Sequence, residues 1–338
     1  MARRTVGIKD VAASAGVSVG TVSNVLNHPE LVTEGTRRRV RQAITALGFV
    51  PNASGRQLRE GRSRTIAYVL LNASNPFFTD VAKGVEEVVR AQGLALFLCN
   101  SDGDAAREAD YLELLLHHRV RGLLVSPVAD EAPALDLMRH HHLPVVLIDR
   151  RAGPHGCSVG VDDVEGGALA VQHLHEQGHD LIAFIGGPVT AIHVADRLEG
   201  ARRAVKASGR PTDSLVVVET TALNAAEGHR AGETLMDLPR TRRPTAAFCA
   251  NDLLALGLLQ HMTGRGVRIP DELAIVGYDD IDFASSAAIP LSSIRQPRDL
   301  LGRTAAELLL VESEADDTHE HQHVLFHPQL VVRASSAG

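Results

Sequence analysis

The chain has 338 residues, 44% of them hydrophobic, which is enough for two or three domains with sizeable cores. Its net charge of −7 hides an asymmetry, because residues 1–62 contain ten Arg and Lys against four Asp and Glu, a net +6, and the remainder carries −13. A basic amino-terminal segment on an acidic remainder indicates that one end of the chain binds a polyanion and the other does not.

The sequence also disfavours a secreted protein and a membrane protein. No apolar segment of signal-peptide length follows the first arginines, and no stretch reaches the roughly 18 uncharged residues of a membrane helix. The three cysteines, Cys99, Cys157 and Cys249, are far apart and lie in or beside apolar runs, which predicts buried thiols and neither a disulfide nor a metal framework. We therefore expect a cytoplasmic protein without a cofactor.

The first elements in chain order are two short helices. Apolar residues in 8–15 follow the i, i+3, i+4, i+7 spacing of an amphipathic helix, and Gly16 ends it. Ser18 is suited to cap a second helix over residues 19–26. Two short helices joined at a glycine form a helix-turn-helix, although the pattern alone does not separate a DNA-binding motif from a small helical bundle.

A third helix, capped by Thr33 and ended by Gly48, carries a run of arginines in its first half. Residues 8–27, IKDVAASAGVSVGTVSNVLN, and residues 36–63, TRRRVRQAITALGFVPNASGRQLREGRS, closely resemble the lactose-repressor and galactose-repressor (LacI/GalR) family of bacterial regulators. That resemblance is long and nearly free of gaps. It implies a DNA-binding transcriptional regulator.

The family pattern implies which residues of the helix-turn-helix bind DNA. They are Ser18, Val19, Gly20, Thr21, Ser23 and Asn24. The chemistry agrees, since asparagine can pair with adenine through two hydrogen bonds and valine can contact a thymine methyl group. Arginine is frequent in the family where this chain has Asn24, which leaves operator preference there open, and a solvent-facing polar residue is the alternative interpretation.

Residues 51–62 are predicted to be a hinge. Such a short segment, with a glycine inside it, is marginal as an isolated helix. The resemblance implies that it forms a helix on operator DNA, with Asn52 as its cap, Leu58 as a wedge in the minor groove and Arg56 near phosphate. An ordinary linker leucine is the alternative for Leu58.

From residue 65 onward, apolar strands alternate with amphipathic helices. Eight strands are predicted, at residues 66–71, 95–98, 122–125, 145–148, 181–185, 215–218, 246–249 and 274–276. Alternating βαβ units predict parallel sheets covered on both faces. Two sets of four strands suggest two Rossmann-like subdomains with a cleft between them, the periplasmic-binding-protein-like architecture that the family shares.

Ligands of such sheets bind beyond the carboxyl ends of the strands. The polar and aromatic side chains of those loops suit a polyhydroxylated ring, and the same positions match the family's effector site. The effector ligands predicted there are Asn75, Phe77, Phe78, Asp149, Arg150, Arg197, Asn251 and Asp279. Plainer roles stay open: the phenylalanines as core, Asn251 as a helix cap and Arg150 as a structural ion-pair partner.

The tract at residues 313–323 contains His319, His321 and His323 among acidic residues. Alternate histidines of a strand share one face and can bind zinc or nickel. An exposed crossover between subdomains instead favours a polar loop, so no metal site is predicted.

These elements define a fold class, an all-α helix-turn-helix domain followed by an α/β core of two Rossmann-like subdomains. The predicted domains are residues 1–50 (DNA binding), 51–62 (hinge) and 63–338 (core), the core divided into about 63–162 with 295–323 and about 163–292 with 324–338. Since one helix-turn-helix reads only a half-site, and no apolar heptads follow the last strand, we expect a homodimer.

The predicted function is transcriptional repression in the cytoplasm, at the nucleoid, by a protein that a sugar-like effector releases from a palindromic operator. One alternative is a regulator that needs a purine or another metabolite as co-repressor. A second, of a different class, is a cytoplasmic sugar-binding protein or an enzyme on the same core. Catalytic motifs are missing at their usual spacing, which argues against an enzyme. Ala191, His193 and Leu223 favour a sugar over a purine by resemblance.

Overall fold

A computed structural model describes residues 6–50, 63–129, 133–150, 156–314 and 319–337. The chain separates into two compact units, residues 1–62 and residues 63–338. Within the described residues, no helix is both long and apolar enough to cross a membrane. The predicted hinge residues Asn52, Arg56 and Leu58 lie outside the described residues.

The first unit is a three-helix domain. Helices α1 (Ile8–Ala15), α2 (Val19–Asn27) and α3 (Glu34–Leu47) enclose a small core of buried valines and alanines. The turn between α1 and α2 contains Gly16 at φ +64°, a left-handed conformation that glycine adopts without strain. The helix-turn-helix therefore forms where the sequence predicts it.

The caps of this unit differ in one respect from the expectation. The hydroxyl oxygen of Ser18 accepts a hydrogen bond from the N–H of Thr21 at 3.0 Å, as an N-cap should. Thr33 precedes α3, but its hydroxyl donates to the hydroxyl of Thr36 at 3.1 Å and makes no hydrogen bond to the backbone. The side-chain cap predicted for Thr33 is thus wrong, although the helix begins where expected.

The second unit contains two six-stranded sheets. The first sheet is parallel throughout, in the order β11-β5-β4-β3-β1-β2, and the second has the order β12-β10-β9-β8-β6-β7 with β12 antiparallel to β10. The strands are β1 (Thr65–Leu70), β2 (Ala95–Asn100), β3 (Gly122–Val125), β4 (Val145–Ile148), β5 (Cys157–Val161), β6 (Ile182–Gly186), β7 (Leu215–Glu219), β8 (Ala246–Cys249), β9 (Ala274–Asp279), β10 (Ser292–Arg295), β11 (His323–Phe326) and β12 (Gln329–Val331).

Helices cover both faces of each sheet, and each sheet with its helices forms one lobe. The helices are α4 (Pro76–Ala91), α5 (Ala105–His117), α6 (Pro133–His140), α7 (Asp163–Glu176), α8 (Ile192–Ala207), α9 (Ala225–Asp237), α10 (Asp252–Gly264), α11 (Asp282–Ser286) and α12 (Arg298–Glu314). The chain passes between the lobes after β5, after β10 and after β11. The two-subdomain α/β architecture predicted from the sequence is confirmed.

Two details of the sequence prediction are wrong. The eight predicted strands omit β5, β10, β11 and β12, each of which is short and contains polar residues or glycine. The boundary expected at about residue 323 also shifts, since β11 pairs in parallel with β5 of the first lobe and the chain crosses only after Phe326.

Glycines allow three pairs of helices to pack with their backbones in direct contact. The pairs are α4 with α12, α7 with α8 and α9 with α10. In the first pair, a Cβ on Gly302 would lie 2.0 Å from the carbonyl oxygen of Val81, and a Cβ on Gly84 would lie 2.3 Å from that of Asp299. Only glycine fits such contacts, so these residues fix the helix spacing in each lobe.

We expect Gly302→Ala to lower the free energy of unfolding by about 1–3 kcal/mol, because its methyl group must displace the backbone of α4. The matched control is Gly264→Ala at the end of α10, where nothing lies within 4 Å of the added Cβ. That control is expected to stabilise the protein by about 0.4–1 kcal/mol. Urea unfolding of both variants measures the difference, and equal effects would contradict the packing role of Gly302.

Candidate functional site

One exposed stripe of α2 carries three of the residues predicted to bind DNA. Val19, Gly20 and Asn24 lie along it, and helical spacing places them with Ser23 within about 140° of arc. Thr21 and Ser23 are half-buried, and the hydroxyl groups of Ser18 and Thr21 are 2.9 Å apart. Short polar and methyl groups on one face are the set that base edges and phosphates accept.

A cavity of about 770 Å³ lies between the carboxyl ends of the strands of the two lobes. Seven of the eight predicted effector residues line it: Asn75, Phe77, Phe78, Asp149, Arg197, Asn251 and Asp279. Arg150 does not line this cavity and instead borders adjoining depressions with Asp149, one of them also lined by Asp162 and Asp196. The role of Arg150 as an effector ligand stays a prediction, because its side chain borders depressions that share Asp149 with the main cavity.

Asp279, at the end of β9, links the two lobes. One carboxylate oxygen accepts a hydrogen bond from the amide of Asn75 in the first lobe at 3.1 Å, and the other accepts from the amide of Gln296 at 2.8 Å. Asp279 is only 2% exposed and has φ +106°. Asn75 also caps α4, because its side-chain oxygen Oδ1 accepts a hydrogen bond from the backbone N–H of Phe77 at 3.0 Å.

Arg197, on α8, is held in place by the second lobe. Its guanidinium donates to the carboxylate of Asp163 at 2.8 Å and to the carbonyl of Ala250 at 2.6 Å. The same group lies 3.7 Å above the ring of Tyr278. Burial alone would lower the pKa of Arg197, but the neighbouring carboxylates raise it above its usual value. Arg197 is therefore a fixed positive charge in the cavity wall.

Phe77, Phe78 and Asn251 form walls of the cavity while serving the fold. The two phenylalanine rings are nearly buried in the core of the first lobe and meet edge to face, with centroids 5.0 Å apart. Asn251 caps α10 by accepting from the N–H of Leu254, and its amide donates to the carbonyl of Leu223 at 3.2 Å. The phenylalanines therefore also pack in the core, and Asn251 also caps a helix, as the sequence left open.

Asp149 differs from these residues because part of its side chain is uncommitted. Its Oδ1 is buried and has no hydrogen-bond partner among the described residues. Burial raises the pKa of Asp149 to about 7, and Asp163 adds to this rise while Arg197 opposes it. The residue also has φ +61°, a strained conformation for aspartate. A buried acceptor without a donor is a place where a ligand hydroxyl or N–H would bind.

Several lining residues were not predicted as ligands. Asn72, Asp102, Thr190, His193 and Thr221 all border the cavity. The rule that ligands follow the carboxyl ends of strands would have found Asp102 and Thr221, which come just after the edge strands β2 and β7.

His193 is a neutral group of this cavity. Desolvation lowers its pKa to about 3, and the positive charges of Arg197 and Arg150 contribute to the fall. It thus offers one hydrogen-bond donor and one acceptor at neutral pH. With Asp102, Asp149 and Asp279 set against Arg197, acceptors and negative charge predominate in the lining.

Comparisons with known proteins agree with both units. The family model for bacterial regulatory proteins of the lacI family matches residues 7–52, and the model for the periplasmic binding protein-like domain matches residues 171–336. The transcriptional repressor PurR of Aliivibrio fischeri (strain ATCC 700601 / ES114) is 36% identical over 331 residues, covering 97% of each chain.

Two solved structures are similar over nearly the whole chain. The lac repressor dimer bound to operator and the anti-inducer ONPF has a TM-score of 0.84 at 25% identity, covering 99% of this chain and 100% of its own. The complex of the transcriptional regulator CelR with cellobiose has a TM-score of 0.72 at 32% identity, covering 98% and 99%.

The raised pKa of Asp149 predicts a pH-dependent stability change. Because the folded pKa lies above the ordinary value of 3.8, ionisation of Asp149 destabilises the fold, and that cost grows as pH rises to about 7. An asparagine side chain at this position would keep the shape and tolerate the left-handed backbone. Asp149→Asn should raise the free energy of unfolding by on the order of 1–3 kcal/mol near pH 8 and by less near pH 5.

Urea unfolding at both pH values measures this change. An equal effect of the substitution at the two pH values would show that the charge of Asp149 is not what destabilises the fold.

Proposed function

Because the chain belongs to the lacI family of bacterial regulatory proteins and is a DNA-binding transcriptional repressor and not an enzyme, we propose that a neutral sugar binds its cleft and releases it from a palindromic operator. The observation that carries the proposal is the buried, unpartnered oxygen of Asp149 in the cavity wall. A sugar hydroxyl is the donor that such an oxygen lacks. The site of action would be the nucleoid, in the cytoplasm.

The charge of the cavity supports a neutral effector. Three carboxylates against one guanidinium disfavour a phosphorylated or carboxylate ligand, whereas hydroxyl groups can donate to carboxylates and accept from Arg197. Apolar walls formed by Phe77 and Phe78 suit the hydrophobic face of a sugar ring. The similar CelR structure contains cellobiose, which makes a sugar reasonable for a cleft of this architecture.

The second candidate is a purine acting as co-repressor. It is favoured by the 36% identity to a repressor named PurR along the whole chain. A purine base could also use Asp149 as an acceptor and His193 as a neutral partner. The two candidates predict opposite effects on DNA, because a co-repressor strengthens operator binding and an inducer weakens it.

For the DNA side, we propose that α2 is the recognition helix. Val19, Gly20 and Asn24 would meet base edges in the major groove, with Ser18, Thr21 and Ser23 at phosphates. The positions of the first three residues along the exposed stripe support this assignment. The hinge contacts proposed for Asn52, Arg56 and Leu58 stay predictions from the sequence.

A homodimer would supply the second half-site. The edge strand β2 of the core exposes Phe97 by 50% and Leu98 by 53%, a pair of large apolar side chains beside an unpaired strand edge. Covering that edge with a second copy would bury both side chains. Sedimentation equilibrium of the full chain distinguishes this dimer from a monomer or a tetramer.

Calorimetric titration with ribose, cellobiose, hypoxanthine and guanine tests the effector. We expect a sugar to bind and to weaken binding to an operator selected from random DNA, and Asp149→Asn to reduce sugar affinity by about 1–3 kcal/mol while operator binding stays intact. Tighter operator binding with a purine would replace the sugar proposal by the co-repressor. A full panel of sugars and purines without effect would remove the sensor role.

Asn24→Ala tests the recognition helix. It should cost about 1–3 kcal/mol on the selected operator and little on random DNA, because a base contact carries sequence information and a phosphate contact does not. The control is Asn27→Ala on the same helix, whose amide donates to the carbonyl of Ser23 at 2.8 Å and is already occupied. Equal losses for both variants in a fixed-salt binding assay would contradict base recognition by Asn24.

A further inference from the structure

Four side chains that can ligate a metal converge at one edge of the first lobe. They are Cys157 at the start of β5, Glu312 in the last turn of α12, and His319 and His321 in the segment before β11. Their ligand atoms all lie within 4.8 Å of one another. The fold thus joins a cysteine and a histidine tract that lie 162 residues apart along the chain.

The spacing of these atoms matches tetrahedral coordination. The Sγ atom of Cys157 is 3.3 Å from Nε2 of His319 and 3.8 Å from Nδ1 of His321. Zinc bonds of about 2.3 Å to sulfur and 2.0–2.1 Å to nitrogen, at a tetrahedral angle, place sulfur and nitrogen about 3.6 Å apart. The cluster therefore needs little rearrangement to surround an ion.

The electrostatics of the cluster also favour a cation. One carboxylate oxygen of Glu312 is buried without a hydrogen-bond partner among the described residues. A divalent ion would pair with this carboxylate and would bind Cys157 as the thiolate, with release of the thiol proton.

We propose that Cys157, Glu312, His319 and His321 form a zinc-binding site. A thiolate with two imidazoles selects a borderline ion such as Zn²⁺ over Mg²⁺ or Ca²⁺, and four protein ligands leave no open position for catalysis. The ion would fasten the end of α12 and the segment before β11 onto β5. A neighbouring contact also joins β11 to β5, because the side chains of Ser158 and His323 are hydrogen-bonded at 2.9 Å.

The position separates this site from the effector cleft. Cys157 and the residues before His323 lie at the amino-terminal ends of β5 and β11, whereas the cleft lies at the carboxyl ends of the parallel strands. The strand β1 also begins at this amino-terminal end of the sheet, after residue 64. Zinc binding is thus independent of which effector the cleft takes.

Titration of the tag-free, chelator-treated full chain with Co²⁺ and then Zn²⁺ tests the proposal. We expect one Co²⁺ per chain, with the absorption of a thiolate-bound tetrahedral ion, and its displacement by one Zn²⁺. Cys157→Ser and the double variant His319→Ala/His321→Ala should each weaken binding about 100-fold or more, and Glu312→Gln, which keeps the side-chain shape, about tenfold or more.

Matched controls come from the same lobe. Cys99→Ser removes another thiol of this lobe, and His140→Ala/His141→Ala removes an edge-to-face pair with centroids 5.9 Å apart, close to the 5.3 Å of His319 and His321. Both should bind metal like the wild type, and circular dichroism confirms that every variant is folded.

Two results would overturn the site. Failure of the wild type to bind one equivalent of Co²⁺ or Zn²⁺ is the first. Binding that survives both Cys157→Ser and the histidine double variant is the second, and it would transfer the ion to the other cluster, His229, Glu233 and His261.

Discussion

The hydrogen bonds of Asp279 are the interaction on which the cleft depends. A single buried carboxylate accepts from Asn75 of the first lobe and from Gln296 in the segment that connects the lobes. Hydrogen bonds to a charged group contribute about 1.5–3 kcal/mol each, and leaving a buried partner unsatisfied costs a similar amount. The relative position of the lobes is thus set by polar contacts that a ligand in the adjoining cavity can strengthen or compete with.

The cavity wall combines groups that serve the fold with one group that does not. Arg197, Asn251 and the phenylalanines are engaged in ion pairs, caps and core packing, so they define a rigid shape. Asp149 is instead half-buried, with a buried, unpartnered carboxylate oxygen and a raised pKa, so its ionised form is expected to lower the stability of the fold. Stability lost at a single cavity residue is expected where binding needs that residue.

Local patterns explain what the sequence could predict. The helix-turn-helix depends on contiguous residues, and seven of the eight predicted cleft residues line the cavity because loops after parallel strands meet at one edge. Pairing over long distances could not be predicted. The approach of Cys157 to His319 requires β11 to cross back beside β5, and the bond from Asn75 to Asp279 spans 204 residues. Sequence position also fixed the loop of Arg150 but not the direction of its side chain, which borders the adjoining depressions.

The role of Asp279 is tested most directly in the variant Asn75→Asp, by the ratio of operator affinities without and with a saturating effector. Aspartate still caps α4, but it sets a second carboxylate against Asp279 and replaces the bond between the lobes with repulsion. We predict that this ratio falls from the allosteric range of about 5–150 toward one and that effector binding weakens. A ratio equal to that of the wild type would contradict the claim that the bond between Asn75 and Asp279 couples the cleft to DNA binding.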